Sequence, residues 1–443
     1  MKKIVIIGNG ISGITAARHI RKMSDDDITV ISGETDHFFS RTALMYIYMG
    51  HMKYEHTKPY EDWFWEKNKI HLVRDYVTEV ITDDKKVVLR NKGELHYDIL
   101  IIGTGSKPNK FGWPGQDLKG VQGLYSYQDL ENMEVHTKNI EKAVIVGGGL
   151  IGIEMAEMLR SRDISVTFLV RETSFWNIVL PPEESAMINR HILEHHVELR
   201  LETELIEILA DDDGRVRSIV TDKDEEIPCQ FIGLTAGVSP NISFLKSSKI
   251  HTDRGVLINE YFETNVPEVY AIGDCAQFRT PLPGRKAIEQ VWYTGRMHGE
   301  TLAKTICGNK MAYHPGPWFN SAKFFDIEYQ VYGDIKNQNS DDEGQIIWEH
   351  KNGRKSIRIS YDKSTTRLVG INLMGIRYRH EVCDMWLKEG TLLKEVIQNL
   401  SKANFDPEFY TQYEEEVLHI YNKRFPDDPI RSTSKRGLFS FVH

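Results

Sequence analysis

Cysteine is scarce in this chain of 443 residues: there are four, Cys229, Cys275, Cys307 and Cys383, with no CxxC or CxxxxC pair among them. That dispersal excludes a redox-active dithiol and a zinc or iron–sulfur site as local motifs, and each thiol is expected to be a small buried hydrophobe. No metal site is expected. Long apolar runs are also missing. Those present, such as Ile99–Ile102 and Val144–Val146, have strand length and fall far short of the ~20 residues that a membrane helix needs. No membrane span is therefore expected. Positive charge is not in excess, since 55 Lys and Arg against 64 Asp and Glu give a net charge of −9, which offers no footprint for nucleic acid. Met1-Lys2-Lys3 leads straight into an apolar strand with no leader pattern, as expected of a cytoplasmic protein.

What the chain does have is glycine in a telling order. Ala143–Glu157 reads AVIVGGGLIGIEMAE, in which apolar β-formers run into Gly147-x-Gly149-x-x-Gly152 and helix formers follow. A buried strand, a tight glycine turn and a helix N-terminus is the order that binds a dinucleotide pyrophosphate. The turn lets the backbone approach the phosphates, and the free N–H groups of the helix face negative charge. One such fingerprint is weak evidence. A second copy opens the chain, IVIIGNGISGITAA at Ile4–Ala17, with Gly8, Gly10 and Gly13 in the same spacing. Two fingerprints roughly 140 residues apart suggest two nucleotides in one protein, and an electron passed from one to the other.

In chain order, a strand is expected at Lys3–Ile7, a helix at Ile11–Met23 and a strand at Ile28–Ile31. An acid should follow to bond the adenosine ribose; Glu34 supplies it, with Gly33 as the competing position. Arg41 lies a few residues beyond, where it could pair with the pyrophosphate. The aromatic stretch Lys53–Lys69 is read as an excursion packed on the domain. Strands follow at Ile70–Val73, Tyr76–Ile81 and Lys85–Leu89, and Tyr97–Ile102 ends in Thr104-Gly105, closing the first site from beneath. Asn109–Leu130, rich in Gly and Pro, reads as a linker. Glu154 is expected on the first turn of the second helix, where an acid suits the dipole. The strand Val166–Val170 ends in Arg171 instead of an acid, which favours NADPH over NADH, although Glu172 beside it opposes a phosphate.

The helix Glu183–His196 carries His191 and His195 on one face, but no carboxylate partner or second cluster stands nearby in sequence, so a solvated helix is expected. The hairpin Leu205–Thr221 and the strand Phe231–Thr235 lead to Ala236-Gly237. Thr264–Cys275 is a strand ending in Gly273-Asp274, followed by a helix over Ala287–Ile306. From His314 alternating strands take over, at Glu328–Tyr332, Gln345–His350, Lys355–Tyr361 and Arg367–Leu373, then helices at Val382–Leu387 and Leu392–Leu400. The tail Ser432–His443 is expected to be disordered or draped on a neighbour.

Taken together, Gly8-x-Gly10-x-x-Gly13, Thr104-Gly105, Gly147-x-Gly149-x-x-Gly152-x-Glu154, Ala236-Gly237 and the Thr264…Gly273-Asp274 run resemble the FAD/NAD(P)-dependent pyridine nucleotide–disulfide oxidoreductase superfamily, in its order, over about residues 1–310. The chain looks most like the rubredoxin/ferredoxin-reductase and apoptosis-inducing-factor-like branch. Phe39-Ser40-Arg41 resembles that branch's Tyr-x-Arg, and Pro317-Trp318-Phe319-Asn320-Ser321 its Phe-Trp-Ser run. Three departures stand out. No cysteine occupies Thr42–Ala43, which excludes a thiol relay; Tyr46 stands where the branch has a lysine near the flavin; and Asn320 replaces its tryptophan.

The resemblance implies an α/β fold with two nested Rossmann-like dinucleotide-binding domains and a C-terminal α+β domain. Residues 1–110 with 258–313 would bind FAD, 111–257 would bind NAD(P), and 314–443 would form an interface-type domain with a basic tail. For FAD it implies Gly8, Gly10, Ile11, Ser12, Gly13, Glu34, Arg41, Thr42, Val77, Thr104, Gly105, Gly273, Asp274 (as acceptor for the ribityl hydroxyls), Gln290 and Val291. For NAD(P) it implies Gly147, Gly149, Leu150, Ile151, Gly152, Arg171, Ala236 and Gly237, with Glu154 as the catalytic residue that holds the nicotinamide carboxamide. The expected function is an NAD(P)H-dependent flavoprotein reductase, NADPH favoured, whose acceptor is a small rubredoxin- or ferredoxin-like iron–sulfur protein; a homodimer is compatible with it. The rivals are a slowly turning NAD(P)H-binding redox sensor and a soluble quinone or oxygen reductase.

Overall fold

The computed structural model describes residues 1–338, 340–406, 409 and 411–432. The chain forms two compact units: Met1–Gly147 with Met158–Ser165 and Leu205–Pro315, and Gly148–Glu157 with Val166–Glu204 and Gly316–His443. The expectation for the tail lies almost wholly outside the described residues.

The first unit is built on a parallel five-stranded sheet in the order Val269–Ala271, Ile99–Ile102, Lys3–Ile7, Asp27–Ser32, Ile70–Arg74. Its two central strands read as unbroken apolar runs, with Ile4, Ile6 and Leu100 to Ile102 fully buried. That is the signature of a parallel sheet covered on both faces. The helix Ile11–Met23 forms where expected and buries Ile14, Ala16, Ala17 and Ile20. The helix Trp292–Ile306 lies against it so closely that a Cβ on Gly299 would fall 2.5 Å from the Ser12 carbonyl oxygen. This second helix starts five residues later than the sequence suggests, because Val291 is extended at φ −134 and ψ 135. Antiparallel strands Val77–Ile81, Lys86–Leu89 and Glu94–His96 form a side sheet. The unit also holds a parallel set, Val121–Gln122, Phe231–Leu234 and Lys142–Val146, and an antiparallel set, Leu205–Ala210, Val216–Thr221 and Glu226–Pro228. The stretch expected to be linker, Asn109–Leu130, runs at its end into a helix, Tyr127–His136, whose N-terminus is closed by a capping box of Ser126 and Asp129.

In the second unit the strand Ser165–Val170 pairs in parallel with Glu198–Leu201. An antiparallel sheet runs in the order Phe319–Phe324, Ile327–Gly333, Leu368–Met374, Ser356–Asp362, Glu343–Glu349. Helices His380–Glu389, Leu393–Gln398 and Glu414–Arg424 accompany it, and Trp348, Tyr378, Trp386, Val417 and Tyr421 join sheet and helices in one core. The first strand and the last helix lie outside the elements that the sequence suggested.

The helix Pro182–Glu194 corrects two expectations. It is not a solvated helix: Glu184, Ser185, Met187, Ile188, His191 and Ile192 are buried. Nor do its histidines lack a carboxylate, since Asp326 lies 2.6 Å from His191 Nε2 and 3.0 Å from His195 Nε2. Three of the four cysteines are buried as expected, and Cys307 is half-buried. All four are free, and burial pushes the Cys229 thiol up to about 12. Among the described residues no helix is long and apolar enough to cross a membrane.

One charged pair in the second unit is wholly interior, with a half-exposed carboxylate beside it. Arg358 is 1% exposed and meets the equally buried Glu184 through Nε at 2.7 Å and Nη2 at 2.7 Å, with Glu183 at 2.6 Å and Gln345 on its other nitrogen. Removing one partner strands the opposite charge in the core, which costs about 3–5 kcal/mol. Arg358→Ala is therefore expected to lower the urea midpoint of the unit's unfolding by that equivalent. Arg358→Met combined with Glu184→Gln is expected to lose much less. Equal losses in the two proteins would show that packing, not charge, holds this place.

Candidate dinucleotide sites

The strand Lys3–Ile7 ends at Gly8, in the left-handed region at φ 112, where a Cβ would fall 2.2 Å from the Gly103 carbonyl oxygen. Gly13 is as constrained: its Cβ would lie 2.1 Å from the Gly8 carbonyl oxygen. Between them, a Cβ on Gly10 would meet nothing within 4 Å. Gly10 is also the N-cap of the helix Ile11–Met23, with no side-chain cap and no acid in the first turn. The helix thus begins without a capping side chain, and at Gly10 there is room beside the backbone. This is a cradle for phosphate, and the residues fit the group that the glycines imply.

A polar network stands beside it. Asp274 Oδ2 accepts from Ser106 Oγ at 3.3 Å and from the Tyr125 hydroxyl at 3.2 Å. Gln290 Nε2 donates to Ser106 Oγ at 2.8 Å. The Tyr125 carbonyl accepts from Arg41, whose guanidinium lies 4.5 Å over the Tyr125 ring. Arg41 in turn forks onto both oxygens of Glu34, at 2.7 and 2.6 Å. The Tyr127 backbone N–H also donates to Glu34, at 2.8 Å.

Burial would loosen the Arg41 proton, but the Glu34 charge outweighs it, and Tyr125 and Asp274 add to it, so the guanidinium is held above its ordinary pKa. Burial pushes the Asp274 carboxyl up, while Tyr125, Arg41 and Ser106 favour its charged form. Gly33, the competing acid position, has no room for a side chain, since a Cβ there would fall 2.3 Å from the Tyr76 ring. Thr104 is turned away from the network and donates to the Asn241 carbonyl at 2.8 Å. Thr42 bonds Ser40 at 3.2 Å, Val77 sits in the side sheet opposite Leu89, and Val291 caps the late-starting helix.

The second set of predicted residues divides between the units. In the first, Gly147 is left-handed at φ 115, and a Cβ there would fall 2.8 Å from the backbone of Thr235 and Ala236. Thr235 Oγ1 fastens this turn through the Val146 and Gly147 carbonyls, each at 3.0 Å. Gly237 is left-handed as well, at φ 89. In the second unit, Gly149 repeats the pattern of Gly10, with nothing within 4 Å of a Cβ, directly ahead of the helix Leu150–Arg160. Ile151 and Gly152 follow on that helix.

Glu154 is the helix's fifth residue and not in its first turn, which contains no acid. The dipole argument for it therefore falls. Its environment is unusual for another reason: burial, with the Glu157 charge adding to it and Lys323 opposing, pushes its carboxyl up to about 7. Lys323 is itself committed to Glu157 at 2.7 Å. Arg171 is 71% exposed and bonded to Glu172 at 2.9 Å.

Sequence reasoning missed Tyr125, Ser106 and Tyr127 as members of the network. The capping box at Ser126 was a local signal that this stretch is structured, but nothing local pairs Tyr125 with Asp274, 149 residues away.

The family model described as "Pyridine nucleotide-disulphide oxidoreductase" matches residues 2–299. Among curated proteins, the chain is 27% identical over 359 residues to "Nitrite reductase [NAD(P)H]" of Bacillus subtilis (strain 168), covering 80% of this chain and 43% of that protein. It is 29% identical over 345 residues to "NADH-rubredoxin oxidoreductase" of Clostridium acetobutylicum, covering 76% of this chain and 82% of that one. The chain spans about half the length of the first curated relatives that it matches. Among solved structures, an NAD-dependent persulfide reductase from A. fulgidus superposes with a TM-score of 0.83 at 24% identity, covering 96% of this chain and 84% of that one. With a family match over more than half its length, the chain belongs to the pyridine nucleotide-disulphide oxidoreductase family, which is FAD-dependent and uses NAD(P)H.

Proposed function

We propose that the chain is a flavoprotein reductase that takes a hydride from NAD(P)H and passes electrons to a small iron–sulfur protein of the rubredoxin or ferredoxin type. One observation carries the reading: two helices begin directly after glycines, Gly10 and Gly149, at which a Cβ would meet nothing within 4 Å. Bound FAD would supply hydride acceptance and onward electron release. The chain's own residues bind and orient. The N–H groups after Gly10 take one pyrophosphate and those after Gly149 the other. Arg41 offers its guanidinium to the first pyrophosphate, and Glu34 fixes its direction from behind. Asp274, aimed by Tyr125 and Ser106, accepts from ribityl hydroxyls. Glu154 holds the nicotinamide carboxamide. Without a thiol at residues 42–43, the electrons leave without a disulfide step.

Relatives named as rubredoxin and ferredoxin reductases support the acceptor class. The reading assigns residues 1–110 with 258–313 to FAD, 111–257 to the pyridine nucleotide and 314–443 to the acceptor side. It takes the enzyme to be cytoplasmic. NADPH is favoured over NADH on Arg171, although its pairing with Glu172 weakens the argument.

Anaerobic stopped-flow reduction of the purified chain by NADH and by NADPH tests the reading. Bleaching of the flavin band within seconds, faster with NADPH, followed by reoxidation by a ferredoxin or rubredoxin, is the expected result. Reoxidation by dioxygen alone would move the acceptor, and no bleaching with either coenzyme would end the reductase reading. Arg41→Ala is expected to weaken FAD retention about tenfold to a hundredfold, the value of a charge-assisted hydrogen bond, as measured by flavin release on dilution. The rate of flavin reduction should inflect near pH 7, where Glu154 changes charge. In Glu154→Gln that inflection should vanish, and its survival would assign it to another group.

A further inference from the structure

The helix Pro182–Glu194 and the turn after the strand Phe319–Phe324, both in the second unit, bring three metal-ligating side chains to one point. His191 and His195 lie one helical turn apart, so their rings share a face. Asp326 comes from far along the chain, on a turn in which Phe325 is held left-handed at φ 53, a strained conformation for an aromatic residue. The Phe325 ring stacks flat on His195, with centroids 4.1 Å apart and planes 5° apart. One ligand atom from each of His191, His195 and Asp326 lies within 4.8 Å of the others. Asp326 Oδ1 approaches both imidazoles, at 2.6 Å from His191 Nε2 and 3.0 Å from His195 Nε2.

Burial adds to this convergence. His191 is 1% exposed and has carboxylate oxygens at both ring nitrogens, Asp326 at 2.6 Å from Nε2 and Glu194 at 3.5 Å from Nδ1. An imidazole held so firmly at the base of the cluster is a pre-positioned ligand. The surroundings suit a cation. Arg354 lies 3.4 Å from Asp326 Oδ2 and 2.9 Å from Glu194, so it holds the far carboxylate oxygen and leaves Oδ1 facing the histidines, as partners behind metal ligands do. Two carboxylates against one guanidinium leave the pocket net negative. Asp326 is 56% and His195 35% exposed, which gives an ion a way in.

We propose that His191, His195 and Asp326 bind one divalent transition-metal ion of the Zn2+ class. Two imidazoles and one carboxylate are borderline N and O donors, which select Zn2+ and its neighbours over Mg2+ or Ca2+. Bonds of about 2.0–2.2 Å in a tetrahedron place ligand atoms about 3.3 Å apart, so a small turn of the Asp326 side chain admits the ion. Water takes the fourth place.

The test uses the full chain, stripped with EDTA, loaded with Zn2+ and desalted, with metal content read by mass spectrometry. Co2+ titration followed in the visible region probes geometry. Asp326→Asn and His195→Gln, both at partly exposed positions, should keep the fold. One equivalent of Zn2+ in the parent, and at least about tenfold weaker binding with loss of the Co2+ bands in both variants, is the expected result. Substoichiometric zinc without Co2+ bands in the parent would overturn the site. So would full retention in the variants, which would place the ion among the other histidines.

Discussion

The fold of the first unit rests on backbone approaching backbone more closely than a side chain permits. At Gly8, Gly13 and Gly299 a single added carbon would fall between 2.1 and 2.5 Å from a carbonyl oxygen. Strand, turn and two helices are drawn into one seam there, and the seam aims the start of the helix Ile11–Met23 outward. Gly10 and Gly149 stand at the opposite extreme, since a Cβ on either would meet nothing within 4 Å. The same residue type thus serves contact and clearance within a few positions of each other.

Around that seam, charge is arranged in sequence from Glu34 to Arg41 to Tyr125 to Asp274. Each member is bonded to the next. Such chains gain from low dielectric when every member is satisfied. They also convert a loop, residues 33–42, into a defined part of the site, since both ends of the Glu34–Arg41 pair are anchored to the segment 125–127. The thiols form no comparable network, since all four are free and three of them are buried.

Much of this was legible in the sequence because it is local. The strand Lys3–Ile7 and the helix Ile11–Met23 follow from an apolar run, a glycine turn and a helical period, and they form as expected. Both fingerprints, and the return of the chain at Gly273-Asp274, are likewise written in consecutive residues. The illegible parts depend on distant partners. The helix expected from Ala287 begins at Trp292, since nothing local says that an apolar stretch will be extended. The supposed linker hides Tyr125, whose role is fixed by Asp274 and Arg41. Glu154 looked like a dipole residue, and its setting is instead made by Glu157 and by Lys323, far along the chain. His191 looked like a surface residue because Asp326 and Phe325 are supplied from another stretch altogether.

The buried pair of Arg358 and Glu184 has a consequence for descent. Either residue changed alone leaves a charge in the interior without its counterpart, so single steps away from the pair pass through a poorly folded protein. Lineages that diverge from this chain would then be expected to keep the two together or to exchange them together for apolar residues, with intermediates rare. Residues 174 positions apart would be inherited as one character.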